Sequence, residues 1–173
     1  LPNADLVKQA LADCPLVIVS EVMADTDCTR VADVLLPAMG WSEKDGTVTN
    51  SERLISRQRA VLPAAGEARP DWWALAQVAQ KMGFAGFDYS HPHAVFIEHA
   101  ALSAYQNSDD QVRRDFNLAG LAQLSFEAYQ NLAPIQWGSK RFFANGDFFT
   151  PNRRARIVPV SLQATGYQPS PDY

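Results

Sequence analysis

The residues with the widest chemical reach fall into a few groups. Residues 46–69 hold Arg53, Arg57, Arg59 and Arg69 against only Glu52 and Glu67, with Lys44 just before them. Such a stretch suits an anionic ligand, and arginines spread this way also serve as ordinary solvated surface. His91 and His93 stand two apart, which on one helix sends them to different faces. With no Cys or third His at ligand spacing they make no zinc pattern, so no metal ligand set is expected. Asp109-Asp110 fits the start of a helix better than an acid/base pair. Cys14 and Cys28 lack the CxxC spacing and read as buried thiols. GxSxG, Walker and GxGxxG motifs are all missing from the sequence. These residues offer a binding surface and no self-contained catalytic set.

The elements that position them belong to a chain of 173 residues with 15 Lys+Arg and 19 Asp+Glu, a net charge of −4. That length suits one domain, or one domain with an appendage, and permits a self-sufficient core. A composition that is 47% hydrophobic and 20% charged excludes a disordered chain. Apolar runs are as short as Leu16-Val17-Ile18-Val19, so no membrane span or signal peptide is expected. Two cysteines exclude a disulfide framework and point to a reducing, cytoplasmic compartment. Mild acidity argues against nucleic acid as a partner. The chain begins at Leu1 and is expected to be a piece of something longer. Its charge is uneven: residues 1–45 carry three basic residues against eight acidic ones.

A short helix is expected from Leu1 to Ala12, opened by Pro2-Asn3-Ala4-Asp5. Leu16–Val19 does not alternate, so it reads as a strand buried on both faces of a parallel sheet. Asp25-Thr26-Asp27 offers cap chemistry for a short helix reaching Ala32, and Asp33–Pro37 is a second strand. Strand, crossover and strand make the α/β signature. Residues 41–50 read as a loop, and Arg53–Val61 as extended. Pro63–Gly66 is a turn. A helix then runs from Pro70-Asp71 to a stop at Gly83, burying Trp72, Leu75, Ala76, Ala79 and Met82, with Trp73 also in the core. Ser90 caps a helix through Tyr105 that buries Ile97, Ala101, Ala104 and Tyr105. Further short helices are expected after Ser108 and over Ser125–Asn131. Asn145-Gly146 within 142–149 signals a type I′ hairpin, and residues 156–160 a last strand. The tail from Ser161 is loose. The fold class is α/β: a partial Rossmann-like parallel sheet with flanking helices (1–86), a helical extension (87–138), then a small β-hairpin or meander and tail (139–173).

One block is far more specific. It runs through Val17–Glu21, Thr26 and Ala32–Ala38. It continues through Trp41-Ser42-Glu43-Lys44-Asp45-Gly46-Thr47-Val48-Thr49-Asn50-Ser51-Glu52-Arg53 and closes on Gly66–Trp72. This block resembles the third domain of the molybdopterin oxidoreductases of the dimethyl sulfoxide reductase superfamily, especially nitrate reductase and formate dehydrogenase catalytic subunits. Phe116–Leu121, Tyr129–Trp137 and Phe148–Asn152 are similar to the continuation in assimilatory nitrate reductases. Gly138 departs from the family's pattern, standing where a proline often follows the Gln-Trp pair.

The resemblance implies a molybdenum bis(molybdopterin guanine dinucleotide) cofactor. It implies nitrate as substrate, reduced to nitrite, with an electron-donor protein or reductase subunit as partner. The same domain of a formate dehydrogenase, or a non-catalytic module with this fold, are the alternatives. Four positions carry over from the family. Ser20 and Glu21, at the carboxyl end of a strand, would meet a ribose hydroxyl or guanine amine. Lys44 would meet a phosphate. Asp71 would accept from guanine N1–H and the N2 amine, while also being a favourable acid in the first turn of a helix. The loop holding Gly46, Asn50, Glu52 and Arg53 resembles the stretch that approaches the cofactor, and Arg57 and Arg59 would add positive field. The iron–sulfur cluster, the molybdenum ligand and a C-terminal barrel would lie outside these residues, in the remaining domains of the same enzyme. No catalytic residue is expected here, and these residues alone would be inactive.

Overall fold

The computed structural model describes residues 3–107, 114–138, 143–146, 148 and 150–159. The chain divides into two compact units: Leu1–Pro37 with the residues from 156 onward, and Ala38–Ala155.

In the first unit, helix α1 (Ala4–Asp13) leads to strands β1 (Ile18–Glu21) and β2 (Val34–Pro37). The two strands pair in parallel, Ile18 beside Val34 and Glu21 beside Pro37. Asp33 anchors the sheet, its carboxylate accepting from the Val17 N–H at 2.8 Å. The crossover contains only a 3₁₀ turn, Thr29–Val31, whose N-cap position is Cys28 rather than Asp25, Thr26 or Asp27 and carries no side-chain cap bond; just before it, the Thr26 hydroxyl accepts from the Thr29 N–H at 3.1 Å. The parallel pairing agrees with the sequence; burial on both faces does not. Ile18 is 55% exposed and Leu35 47%. A parallel strand is buried twice only when further strands and helices cover it, and the described residues supply just these two strands. Cys14 and Cys28 are both exposed, against expectation. Among the described residues Arg156–Pro159 form no strand, and Ile157 is 92% exposed, with no ladder to hold it.

The second unit is built around an antiparallel sheet ordered β3 (Gly46–Thr49), β4 (Leu54–Gln58), β5 (Ile135–Gln136). β3 lies where a loop was expected, and β5 gives no local signal; both are strands only through their shared partner β4. Helix α2 (Asp71–Lys81) ends as expected at Gly83. The Phe84 N–H reaches the Ala79 carbonyl and the Gly83 N–H that of Gln80, each at 3.0 Å, a closure that needs the positive φ of 83° at Gly83. Its buried face is narrower than the periodicity predicts: Ala76 is buried, while Leu75 and Met82 stand exposed and Trp73 is 39% exposed.

Helix α3 (Pro92–Ala104) starts on His91 rather than Ser90. It buries Phe96, Ala100 and Ser103, not the expected face through Ala101 and Tyr105. Packing against Leu118 selects that face: the Ser103 hydroxyl accepts from the Leu118 N–H and donates to the Ala100 carbonyl, both at 2.7 Å. Because His91 is an extended cap, its ring lies 5.4 Å from that of His93 rather than on another face. Helix α4 (Phe126–Gln130) forms as expected, capped by Ser125. Ile55, Phe96, Ala100, Leu118 and Tyr129 make the core. The helix expected after Ser108 lies outside the described residues, as do most flanks of the 142–149 hairpin. Its turn is not type I′: Gly146 alone of the Asn-Gly pair has positive φ, and its N–H returns to the Phe143 carbonyl at 2.9 Å. Gly138 has φ 76°, which proline cannot adopt. No helix among the described residues is long and apolar enough to cross a membrane.

Candidate functional site

In the first unit, β1 ends on Ser20 and Glu21 at the carboxyl edge of the parallel pair. Glu21 Oε1 accepts from the Val22 N–H at 2.7 Å, which holds the carboxylate at the turn leaving the strand. Beside it lies a concavity of about 140 Å³ lined by Val19, Glu21, Met23, Thr29 and Leu36 among others. The edge beyond the strand carboxyl ends is where open α/β sheets receive nucleotides.

In the second unit, Lys44 and Asp71 are brought together. Asp71 opens α2. Lys44 follows a 3₁₀ turn, Trp41–Glu43. Glu43 ties that turn down by accepting from the N–H groups of Gly40 at 2.6 Å and Ala65 at 3.1 Å. Ala38 bridges Arg69 in parallel, and the Met39 N–H donates to the Arg69 carbonyl at 3.1 Å, so the segment leading to Lys44 runs beside the one leading to Asp71. Lys44 Nζ then lies 3.2 Å from Asp71 Oδ2, with side chains 32% and 53% exposed. The pair places one cationic donor and one carboxylate acceptor side by side at an open surface, groups able to take polar parts of a ligand.

The loop residues do different work. Gly46 opens β3, and a Cβ there would meet nothing within 4 Å, so no internal contact requires glycine at that position. Asn50 Oδ1 accepts from the N–H groups of Glu52 and Leu54, each at 3.0 Å, closing the β3–β4 turn in which Arg53 has φ 66°. The Glu52 carbonyl accepts from the Gln136 amide at 2.8 Å. Arg53 donates to the Trp137 carbonyl at 2.7 Å, lies over the Trp137 ring and faces Asp115 at 4.0 Å.

Arg57 is the residue whose role the sequence reading understated. Its side chain is only 1% exposed. One Nη donates to Asp45 Oδ1 at 2.8 Å and Gln130 Oε1 at 2.9 Å. The other reaches the Tyr129 hydroxyl at 3.2 Å and the carbonyls of Gly46 and Gln58. Its guanidinium sits 4.1 Å above the Tyr129 ring centroid. Burial pushes the Tyr129 phenol up, and the Arg57 charge opposes that shift. Strand alternation was the available signal: Ile55 is buried, and Arg57 two residues on shares its face. Arg59, by contrast, stays exposed and donates to the Gln130 carbonyl at 2.5 Å.

Residues 1–81 match the family model described as molybdopterin oxidoreductase. Along 95% of its length the chain is 50% identical to a nitrate reductase of Klebsiella oxytoca, of which it spans 19%. It is 28% identical over 99% of its length to an F420-dependent formate dehydrogenase subunit alpha of Methanocaldococcus jannaschii, covering 24% of that protein. In fold it is similar to acetylene hydratase from Pelobacter acetylenicus, with a TM-score of 0.61 at 18% identity, over 88% of this chain and 19% of that one. The chain thus spans about a fifth of the length of the curated relatives it matches. The family implies a molybdenum–pterin cofactor, and the Lys44 ammonium with the Glu21 and Asp71 carboxylates offers one cationic donor and two acceptors whose chemistry suits its polar parts. By its family-model match and its relatives, this chain belongs to the molybdopterin oxidoreductase family.

Proposed function

We propose that this chain is a cofactor-orienting part of a longer molybdenum enzyme that reduces nitrate to nitrite. The observation that carries this reading is the 50% identity to a nitrate reductase along 95% of the chain. The cofactor, as molybdenum bis(molybdopterin guanine dinucleotide), supplies the two-electron chemistry when bound, and the protein supplies binding and orientation. Lys44 offers its ammonium to a phosphate, and Asp71 accepts from guanine N1–H and N2. Ser20 and Glu21 take a ribose hydroxyl or guanine amine at the end of β1. Gly46, Asn50, Glu52 and Arg53 form the loop that comes closest to the cofactor, with Asn50 and Arg53 shaping it from within. Residues 1–86 carry the binding, supported by 87–138 and 139–173. The iron–sulfur cluster and the electron donor engage other parts of the enzyme, in the cytoplasm.

Loss of the guanine contact tests this directly. In the complete enzyme, Asp71→Ala should lower molybdenum and guanine content per chain. Wild-type content of both would refute the guanine role. Residues 1–173 alone should reduce no nitrate with an artificial donor, and measurable turnover would overturn the account. Similarity to a formate dehydrogenase along nearly the whole chain supports a second reading, the same domain in an enzyme that oxidises formate. Assaying the complete enzyme with nitrate and with formate separates the two.

A further inference from the structure

Resting on the reading that Lys44 meets a phosphate, we infer that Arg57 is a positioning residue that sets where Lys44 presents its charge. A buried guanidinium is costly unless its charge is compensated, and the groups that compensate it are held in fixed geometry; both Nη atoms of Arg57 are matched, while its Nε is buried without a hydrogen-bond partner among the described residues. Here the partners belong to three separate segments. Asp45 and the Gly46 carbonyl lie at the start of β3, directly after Lys44. Gln58 lies on the same strand, β4, as Arg57 itself. Tyr129 and Gln130 end α4, with Tyr129 among the most buried residues of the core. The planar fork therefore fastens the backbone beside Lys44 to the core.

Among the described residues Lys44 has no comparable anchor of its own. The partner its ammonium meets among the described residues is the partly exposed Asp71, a kind of contact worth little in water. The Lys44 backbone is set by its neighbours: Glu43 on one side, bound to Gly40 and Ala65, and Asp45 on the other, bound to Arg57. A lysine at 57 would keep the charge but could not serve Asp45, Gln130 and Tyr129 with one rigid fork. Arg57 is buried in the protein interior, so its own contact with a ligand is not what this role requires.

The test is a double-mutant cycle in the complete enzyme, read as molybdenum and guanine content per purified chain. Arg57→Lys and Lys44→Ala should each lower content several-fold, and the double variant should fall no lower than Lys44→Ala alone. If the two losses multiply, Arg57 does not act through Lys44 and the inference fails while the Lys44 reading stands. If Lys44→Ala keeps wild-type content, the Lys44 reading fails and the inference goes with it. Should Arg57→Lys not yield folded enzyme, Asp45→Asn takes its place in the cycle, since it loosens the same link and leaves the buried fork intact. The same two outcomes then decide.

Discussion

Lys44 Nζ lies 3.2 Å from Asp71 Oδ2, an ion pair between side chains 27 residues apart that both keep solvent access. The two residues proposed to meet opposite ends of a nucleotide thus neutralise each other without it. A ligand that offers a phosphate to the lysine and a guanine edge to the carboxylate replaces one exposed ion pair with two charge-assisted contacts. The exchange costs little, because an exposed pair contributes only about 0–1 kcal/mol.

That small cost makes function and stability separable. Lys44→Ala should shift the unfolding free energy by no more than about 1 kcal/mol, while cofactor content falls several-fold for Lys44→Ala and Asp71→Ala alike. Urea denaturation and metal analysis of the same preparations check this. A large loss of stability with unchanged content would make the pair structural.

Asn50 shapes the β3–β4 turn through two hydrogen bonds accepted by Oδ1. Asn50→Ala leaves both N–H groups without that acceptor and should cost about 1–2 kcal/mol. Asn50→Asp keeps an oxygen in place and should recover most of the loss, as judged by denaturation midpoints.

Gly138 combines φ 76° with crowding: a Cβ there would stand 2.2 Å from Asp115 Oδ2 and 3.0 Å from Arg53 Nη1. Gly138→Ala should therefore destabilise the second unit by roughly 1–3 kcal/mol. Gly138→Pro, which restores the residue the family often has there, should be worse, because its ring forbids the observed φ. Chemical denaturation of both variants measures the order.

Tyr89 donates to Glu98 Oε2 at 2.5 Å, and this hydrogen bond holds its phenol up at about 12 against an ordinary 10.0. A folded-state value above the unfolded one means that the native state keeps the proton longer. The contribution is full below pH 10 and is lost as pH rises from 10 towards about 12. Solvent screening keeps it modest at this exposed site. Tyr89→Phe should remove one late-ionising phenol from an ultraviolet titration and flatten that part of the stability profile.

Local chemistry was legible wherever the cause was local. Ser125 caps the helix it precedes, and Gly83 stops α2. The two strands of the parallel pair follow from compact apolar runs. Faces were less legible: Ile97 and Phe96 are both apolar, and tertiary contacts, Ser103 with Leu118 and Phe96 with Tyr129, choose between the faces they represent. Leu75 and Met82 extend the apolar stripe of α2 beyond the part that is covered.

The amino-acid order by itself determined the family block, the two strands of the parallel pair, the end of α2 at Gly83 and the start of α4 at Ser125, and the chemical types proposed to meet the cofactor. Tertiary structure decided which of them meet. β3 and β5 exist only as partners of β4, because a short strand gains its hydrogen bonds from another segment. Lys44 finds Asp71 because Ala38 and Met39 are held against Arg69. Arg57 turns from a surface charge into a buried anchor because Asp45, Tyr129 and Gln130 converge on it. Such convergence joins residues as much as 73 positions apart, where no periodicity along the chain reports it.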